Sequence, residues 1–266
     1  METISMGIRD SYENGMFSWV DLMTPDPAAA KQFYSELFAW QFQDMPVDDG
    51  SVYSMAFKGD RTVAALFARP EDMQQVPPHW SSYITVNDLA ATVQRWQEHG
   101  GTVMRPMCDI MDSGRMAMVQ DPTDGIVGLW QAKDFFGADL VNEVNTFCWT
   151  ELQTRGAAKA AEFYKTVLGW EIEVEDKPPH YITGSVKGHM NCGIFDMDQA
   201  NMPAEIPANW MVYFNVADLD ESLAVVNRLD GKALMEPMDI EPGRFTTVMD
   251  PQGAVMVLMQ VNEPDD

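Results

Sequence analysis

Basic residues are scarce in this chain of 266 residues: 17 Lys and Arg stand against 41 Asp and Glu, a net charge of −24. That balance excludes nucleic acid as a partner, because its phosphates would be repelled, and it equally disfavours an anionic membrane surface. Cysteine is scarcer still. Cys108, Cys148 and Cys192 form an odd, widely spaced set with no C-x-x-C pair, which fits a reducing compartment better than a disulfide framework. No run of ~18 apolar residues offers a membrane span. The opening Met-Glu-Thr-Ile-Ser lacks the basic start and apolar core of a secretory signal. The expectation is a cytoplasmic protein whose acidic surface serves solubility or steers a cationic ligand. Also missing are a Gly-rich phosphate loop, a dinucleotide fingerprint, a Ser–His–Asp order and a nucleophilic cysteine context.

What is present is a repetition. Phe17-Ser-Trp19, Phe33-Tyr34 and Trp40 return about 130 residues later as Phe147-Cys-Trp149, Phe163-Tyr164 and Trp170. Trp80, Val86-Asn-Asp88-Leu89, Gly114-Arg115, Asp121-Pro122 and Gln131 return in the same order as Trp210, Val216-Ala-Asp218-Leu219, Gly243-Arg244, Asp250-Pro251 and Gln260. Two copies mean a duplicated domain, since a solenoid needs three or more stacked units. The division reads as an arm over 1–14, a first module over 15–133, a linker over 134–144, a second module over 145–262 and an acidic tail over 263–266. Two like modules can face each other and enclose a pocket between them.

Within a module the pattern alternates strands and helices. Residues 16–23 read as a strand. Asp26 caps a helix that has Pro27 at its first position and an apolar stripe of Phe33, Tyr34, Leu37 and Phe38. Strand-like runs at 51–57 and 63–68 flank the turn Lys58-Gly59-Asp60. Residues 80–86 read as another strand, and Asp88 caps a second helix that stops at Gly100-Gly101. Strands at 102–104, 115–120 and 126–131 close the module. The spacing predicts an α+β fold with two βαβββ units per module, a cupped mixed sheet and helices on the face behind the cup. The linker, with Gly137 and two acidic residues over 133–142, reads as a surface connector.

These residues resemble the vicinal oxygen chelate superfamily, which includes glyoxalase I, bleomycin-resistance proteins and extradiol dioxygenases. The likeness rests on the strand–helix start with Asp26 and Phe33-Tyr34, the Asp88 cap, and the ending Asp121-Pro122…Leu129-Trp130-Gln131. It is similar in particular to tandem, glyoxalase-like members. The resemblance implies a metal held by His, Gln or Glu at three strand positions, where it polarises substrate oxygens. Those positions fall here on Trp19, Ser81 and Gly128, and on Trp149, Met211 and Val257. Only Ser81 offers even a weak oxygen donor, whereas such cations want carboxylate or imidazole. The expectation is therefore no metal and no cofactor.

The remaining chemistry falls to few residues. Asp21 and Glu151 each stand two residues beyond a Trp, so strand alternation puts carboxyl and indole on one face. Burial there would raise the carboxyl pKa and suit a general base; pairing with an arginine would make it structural. Arg115 and Arg244 are candidates either for a substrate oxyanion or for bracing those carboxyls. Trp19, Trp149, Ser81, Met211, His180 and Tyr181 are candidate ligand-binding residues. His79, His99 and His189 share no metal-ligand motif with His180. The favoured function is binding of a small, partly aromatic organic molecule in a cup lined by Trp and Met. Alternatives are a metal-free lyase, isomerase or hydrolase with Asp21 or Glu151 as base and Arg115 or Arg244 as oxyanion partner, or a metalloenzyme with relocated ligands. The chain would act as a monomer with paired modules or as a homodimer, with a small organic partner and neither nucleic acid nor membrane.

Overall fold

The computed structural model describes residues 7–47, 50–178 and 180–262; the acidic tail 263–266 lies outside them. The first half runs β1 (Phe17–Thr24), α1 (Pro27–Phe38), β2 (Gln41–Pro46), β3 (Val52–Lys58), β4 (Arg61–Ala68), β5 (His79–Thr85), α2 (Leu89–Glu98), β6 (Thr102–Ile110), β7 (Gly114–Gln120) and β8 (Ile126–Ala132). The second repeats it as β9 (Phe147–Thr154), α3 (Ala157–Leu168), β10 (Glu171–Val174), β11 (Ile182–Val186), β12 (His189–Asp196), β13 (Asn209–Asn215), α4 (Leu219–Arg228), β14 (Lys232–Ala233), β15 (Met238–Ile240), β16 (Gly243–Met249) and β17 (Val255–Val261). The strand orders, β2-β3-β4-β1-β5-β8-β7-β6 and β10-β11-β12-β9-β13-β17-β16-β14, are the same pattern, and β15 adds to β16. In each sheet the central pair, β1–β5 or β9–β13, is antiparallel. Its outer flanks, β1–β4 and β5–β8, are parallel, as two βαβββ units joined side by side require.

The helices start where the sequence placed them. Asp26 accepts from the amides of Ala28 and Ala29, and Asp88 and Asp218 accept from Ala91 and Glu221. Such a cap satisfies amides that have no partner within the helix. One strand went unseen and another was read too short. β2 is an exposed edge strand, and its Gln-Phe-Gln-Asp-Met-Pro alternation is too polar to look like one. β6 runs six residues past the expected end, through Pro106, which its edge position and its shifted register between Arg105 and Cys108 tolerate.

The halves meet helix face to helix face. α1 packs on α4 and α2 on α3, and β5 touches β13 across the middle. The space between the modules, where a pocket was conceivable, is filled with rings. Phe17 lies 4.9 Å from Trp210, Phe38 lies 5.0 Å from Phe214, and Trp80 lies 4.9 Å from Phe214. One apolar core spans both halves. Two reciprocal hydrogen bonds lock the seam: Tyr34 donates to Asp250 at 2.9 Å, and Tyr164 donates to Asp121 at 2.8 Å. Trp40 and Trp170 do the same with the backbone carbonyls of Asn145 and Gly15. The two cup faces, free of helices, therefore point away from each other.

The linker departs from expectation. Ala138 and Val141 are 1% and 5% exposed, so it is packed rather than a loose connector. It is tied to the starts of β1 and β4: the Ala138 amide donates to the Ser18 carbonyl, and Asp139 accepts from the amide and hydroxyl of Thr62.

Candidate functional site

Register decides what faces each cup. Trp19 pairs with Tyr83 and Asp21 with Ser81 across β1 and β5, and Tyr83 pairs with Gly128 on β8. Residues opposed in register share a face, so all five belong to one surface. A bulge between Phe17 and Trp19 turns Phe17 to the other side, where it joins the seam between the halves.

At the centre of the first cup lies Asp21, 4% exposed. Tyr53 donates to its carboxyl at 2.9 Å, and Tyr83 donates at 3.1 Å to the same oxygen. Trp19 Nε1 in turn donates to the Tyr53 hydroxyl at 2.8 Å. Burial pushes the Asp21 carboxyl up to about 7, against the opposing pull of the two tyrosine hydrogen bonds. No cation is among the groups acting on it. Burial favours the neutral form because a carboxylate here loses its hydration and meets only neutral donors.

The second cup repeats the arrangement. Trp149 Nε1 donates to the Tyr181 hydroxyl at 3.1 Å, and the hydroxyls of Tyr181 and Tyr213 act on Glu151. Gln153 adds a donor at 3.1 Å. Burial again raises the carboxyl, here by outweighing Gln153 and both tyrosines. Met211 stands in register with Glu151, and Met259, Val257 and Phe245 complete an apolar rim around Tyr213. Cys148 beside them has its thiol pushed up to about 12 by burial, which removes it as a nucleophile at neutral pH.

The candidates are thus only partly brought together. Trp19, Asp21 and Ser81 share one cup, and Trp149, Glu151, Tyr181 and Met211 share the other. Arg115 and Arg244 do not join them. Met116 pairs with Trp130 and Phe245 with Met259 on the cup faces, so the arginines one residue earlier fall on the opposite faces. Arg115 lies 3.6 Å from Asp109, and Arg244 donates to Asp220 at 2.8 Å. Neither arginine braces Asp21 or Glu151, and neither is placed to meet an oxyanion beside them. His180 also parts from its neighbour. While Tyr181 enters the cup, His180 lines an open crevice of about 540 Å³ between α3 and β11, with its Nδ1 3.1 Å from the Glu175 carbonyl oxygen.

The sequence reading missed Tyr53, Tyr83, Tyr213 and Gln153. The repeat held the signal: Tyr83 and Tyr213 each stand three residues before Val86 and Val216. Tyr53 and Tyr181 each precede the turns Lys58-Gly59 and Lys187-Gly188.

A metal fits poorly at the three strand positions. Gly128 has no side chain to offer, and the Tyr83 ring lies over it; a Cβ there would sit 2.1 Å from the ring. Trp19 and Trp149 direct their N–H groups to tyrosines, and an indole N–H is a donor only. Among the described residues no group of three or more His, Cys, Asp or Glu side chains is placed to hold a metal. None of the helices among the described residues is long and apolar enough to cross a membrane.

Known proteins agree with this architecture. The chain is 39% identical over 258 residues to CFP32 of Mycobacterium tuberculosis, provisionally called a glyoxylase, a match covering 95% of this chain and 97% of that protein. It is 27% identical to the anthracycline biosynthesis protein DnrV of Streptomyces peucetius, covering 94% of each. Its fold is similar to that of the Mn(II)-bound glyoxalase from Novosphingobium aromaticivorans, with a TM-score of 0.63 and 12% identity over 95% of this chain and 84% of that one. The 2,3-dioxygenase LapB from Pseudomonas sp. KL28 gives 0.63 and 13%, over 96% of both chains. Residues 16–127 and 146–258 each match one family description, and the chain belongs to the Glyoxalase/Bleomycin resistance protein/Dioxygenase superfamily.

Proposed function

We propose that this protein binds a small, partly aromatic organic molecule in the cup of its second module, without a divalent metal. The observation that carries this reading is the duplicated set of indole, two phenols and a buried carboxyl, with the indole at a strand position where the resemblance implies a metal ligand. The Trp149 indole offers a ring face and edge to an aromatic ligand. Glu151, whose carboxyl pKa burial raises, offers oxygens to a ligand hydroxyl and, when protonated, a donor to a ligand carbonyl. Met211 and Met259 supply soft, adaptable walls. Likeness to a protein named for anthracycline biosynthesis supports an aromatic ligand.

The raised carboxyls favour a second reading, metal-free acid–base catalysis. A carboxyl that titrates near neutrality is matched to proton transfer at that pH. The two readings part at the carboxyls: substituting Asp21 or Glu151 abolishes turnover in the second and alters affinity alone in the first.

Equilibrium dialysis with 2-naphthol as the probe tests the proposal. Binding is expected to persist in EDTA and to weaken at least tenfold in Trp149→Ala. Binding that appears only with added Mn(II) or Zn(II), or that ignores the substitution, would overturn it.

A further inference from the structure

The two cups hold the same groups but are covered differently. Over the first lies the linker. The Phe135 ring stands edge-on to Trp19, with centroids 4.8 Å apart and planes at 87°, and 6.2 Å from Trp130. Its backbone is fixed from several sides. Trp130 Nε1 donates to the Phe135 carbonyl at 2.9 Å, and the amides of Lys133 and Phe135 both donate to the Ser113 carbonyl. Farther along, Ala138 donates its amide to the Ser18 carbonyl, and the Tyr12 hydroxyl donates to the Ala138 carbonyl. The strap covers the indole: Trp19 is 5% exposed, whereas its counterpart Trp149 is only half-buried.

Nothing comparable covers the second cup among the described residues. Met259 replaces Trp130, and neither Val261, the last residue of β17, nor Asn262 after it brings a ring. Trp149 has no ring partner among the described residues, and it, Met211 and Phe245 stay partly exposed.

We infer that the cup of the first module is a second binding site for aromatic molecules, held closed by the chain's own Phe135. The inference rests on the reading of the second cup as a ligand site. Phe135 meets Trp19 as an aromatic ligand would, edge against face. It fills only the apolar half. A benzyl ring carries nothing for Asp21, which keeps its two phenols and no cation, so the polar half of the site is complete but unused. A tethered ring competes at an effective concentration of ~mM or above, so a free ligand of ordinary affinity does not displace it. The whole chain then takes one ligand, and a chain without the ring takes two.

The test follows the indole N–H resonances of Trp19 and Trp149, assigned with Trp19→Phe and Trp149→Phe, during titration with 2-naphthol. In the unaltered protein only Trp149 is expected to shift; in Phe135→Gly both shift, and bound 2-naphthol rises from one to two per chain. Phe135→Ala, which keeps a Cβ on the strap, carries the same expectation should glycine loosen the fold. The inference is overturned if Trp149 shifts in every protein while Trp19 shifts in none, or if Trp19 already shifts in the unaltered chain. A silent Trp149 with a responsive Trp19 in the Phe135 variants would sink the second-cup reading and leave this one standing. Silence at both positions in all proteins would sink both.

Discussion

Replacing Asp21 by asparagine should remove a pH dependence of stability whose direction is defined by the buried carboxyl. Raising a carboxyl from 3.8 to about 7 on folding corresponds to about 4 kcal/mol. The sign follows from which state binds the proton more tightly. Folded Asp21 holds its proton up to about pH 7, whereas the unfolded chain releases it near 3.8. The contribution is therefore full below the unfolded value and is lost as pH climbs toward 7. Between pH 5 and 8 the loss is about 3 kcal/mol. The substituted amide has no proton to lose, yet it retains an oxygen for one phenol and an N–H₂ for the other. Glu151 and Asp121, also raised by burial, titrate alike in both proteins and cancel in the difference. Urea unfolding of both proteins at pH 5 and pH 8 reads the effect. The Asp21→Asn variant should be equal or slightly weaker at pH 5 and about 2 kcal/mol stronger at pH 8. A stability gap that is the same at both pH values would refute the claim that Asp21 is held neutral by burial.

Gly128→Ala should drive the Tyr83 ring off its place, because the new Cβ would sit 2.1 Å from it. We expect a loss of about 1–3 kcal/mol on unfolding and, by carboxyl NMR, a lower Asp21 pKa as water reaches the site. Tyr34→Phe and Tyr164→Phe each leave a carboxylate at the seam short of one donor. Each should cost about 1–3 kcal/mol in urea unfolding, and near-equal losses are expected from the reciprocity of the two bonds; an effect confined to one would contradict it.

The parts of this structure written in local sequence were legible there. Asp26, Asp88 and Asp218 announce helices because a cap is a contact between residues two or three apart. The placement of Asp21 beside Trp19 on one sheet face follows from simple alternation, and the sheet register agrees with it. The phenols around Asp21 recur in both halves but were passed over, because charge is what marks a site in a sequence and a neutral hydroxyl carries none. They come from β3 and β5, so their convergence depends on a register that only the folded sheet sets. Arg115 and Arg244 were drawn toward the carboxyls by charge alone, although counting by twos along β7 and β16 sends them to the other face. The linker misled through Gly137 and its acids. Phe135, Phe136, Ala138, Leu140 and Val141, nearly half of its length, already argued for burial.

The crossed bonds at the seam bear on the protein's ancestry. Asp121 organises its own turn through Thr123 and Gly125, yet its remaining oxygen is served by Tyr164, from the other half. Asp250 depends on Tyr34 in the same way. A chain with only one module would carry both the tyrosine and the aspartate but could not join them to each other. It would complete its turn by borrowing the tyrosine of a second identical molecule. With both modules in one chain the exchange runs between its two halves, and the halves differ in what covers their cups: the first lays Phe135 over Trp19, while Trp149 in the second has no ring partner among the described residues.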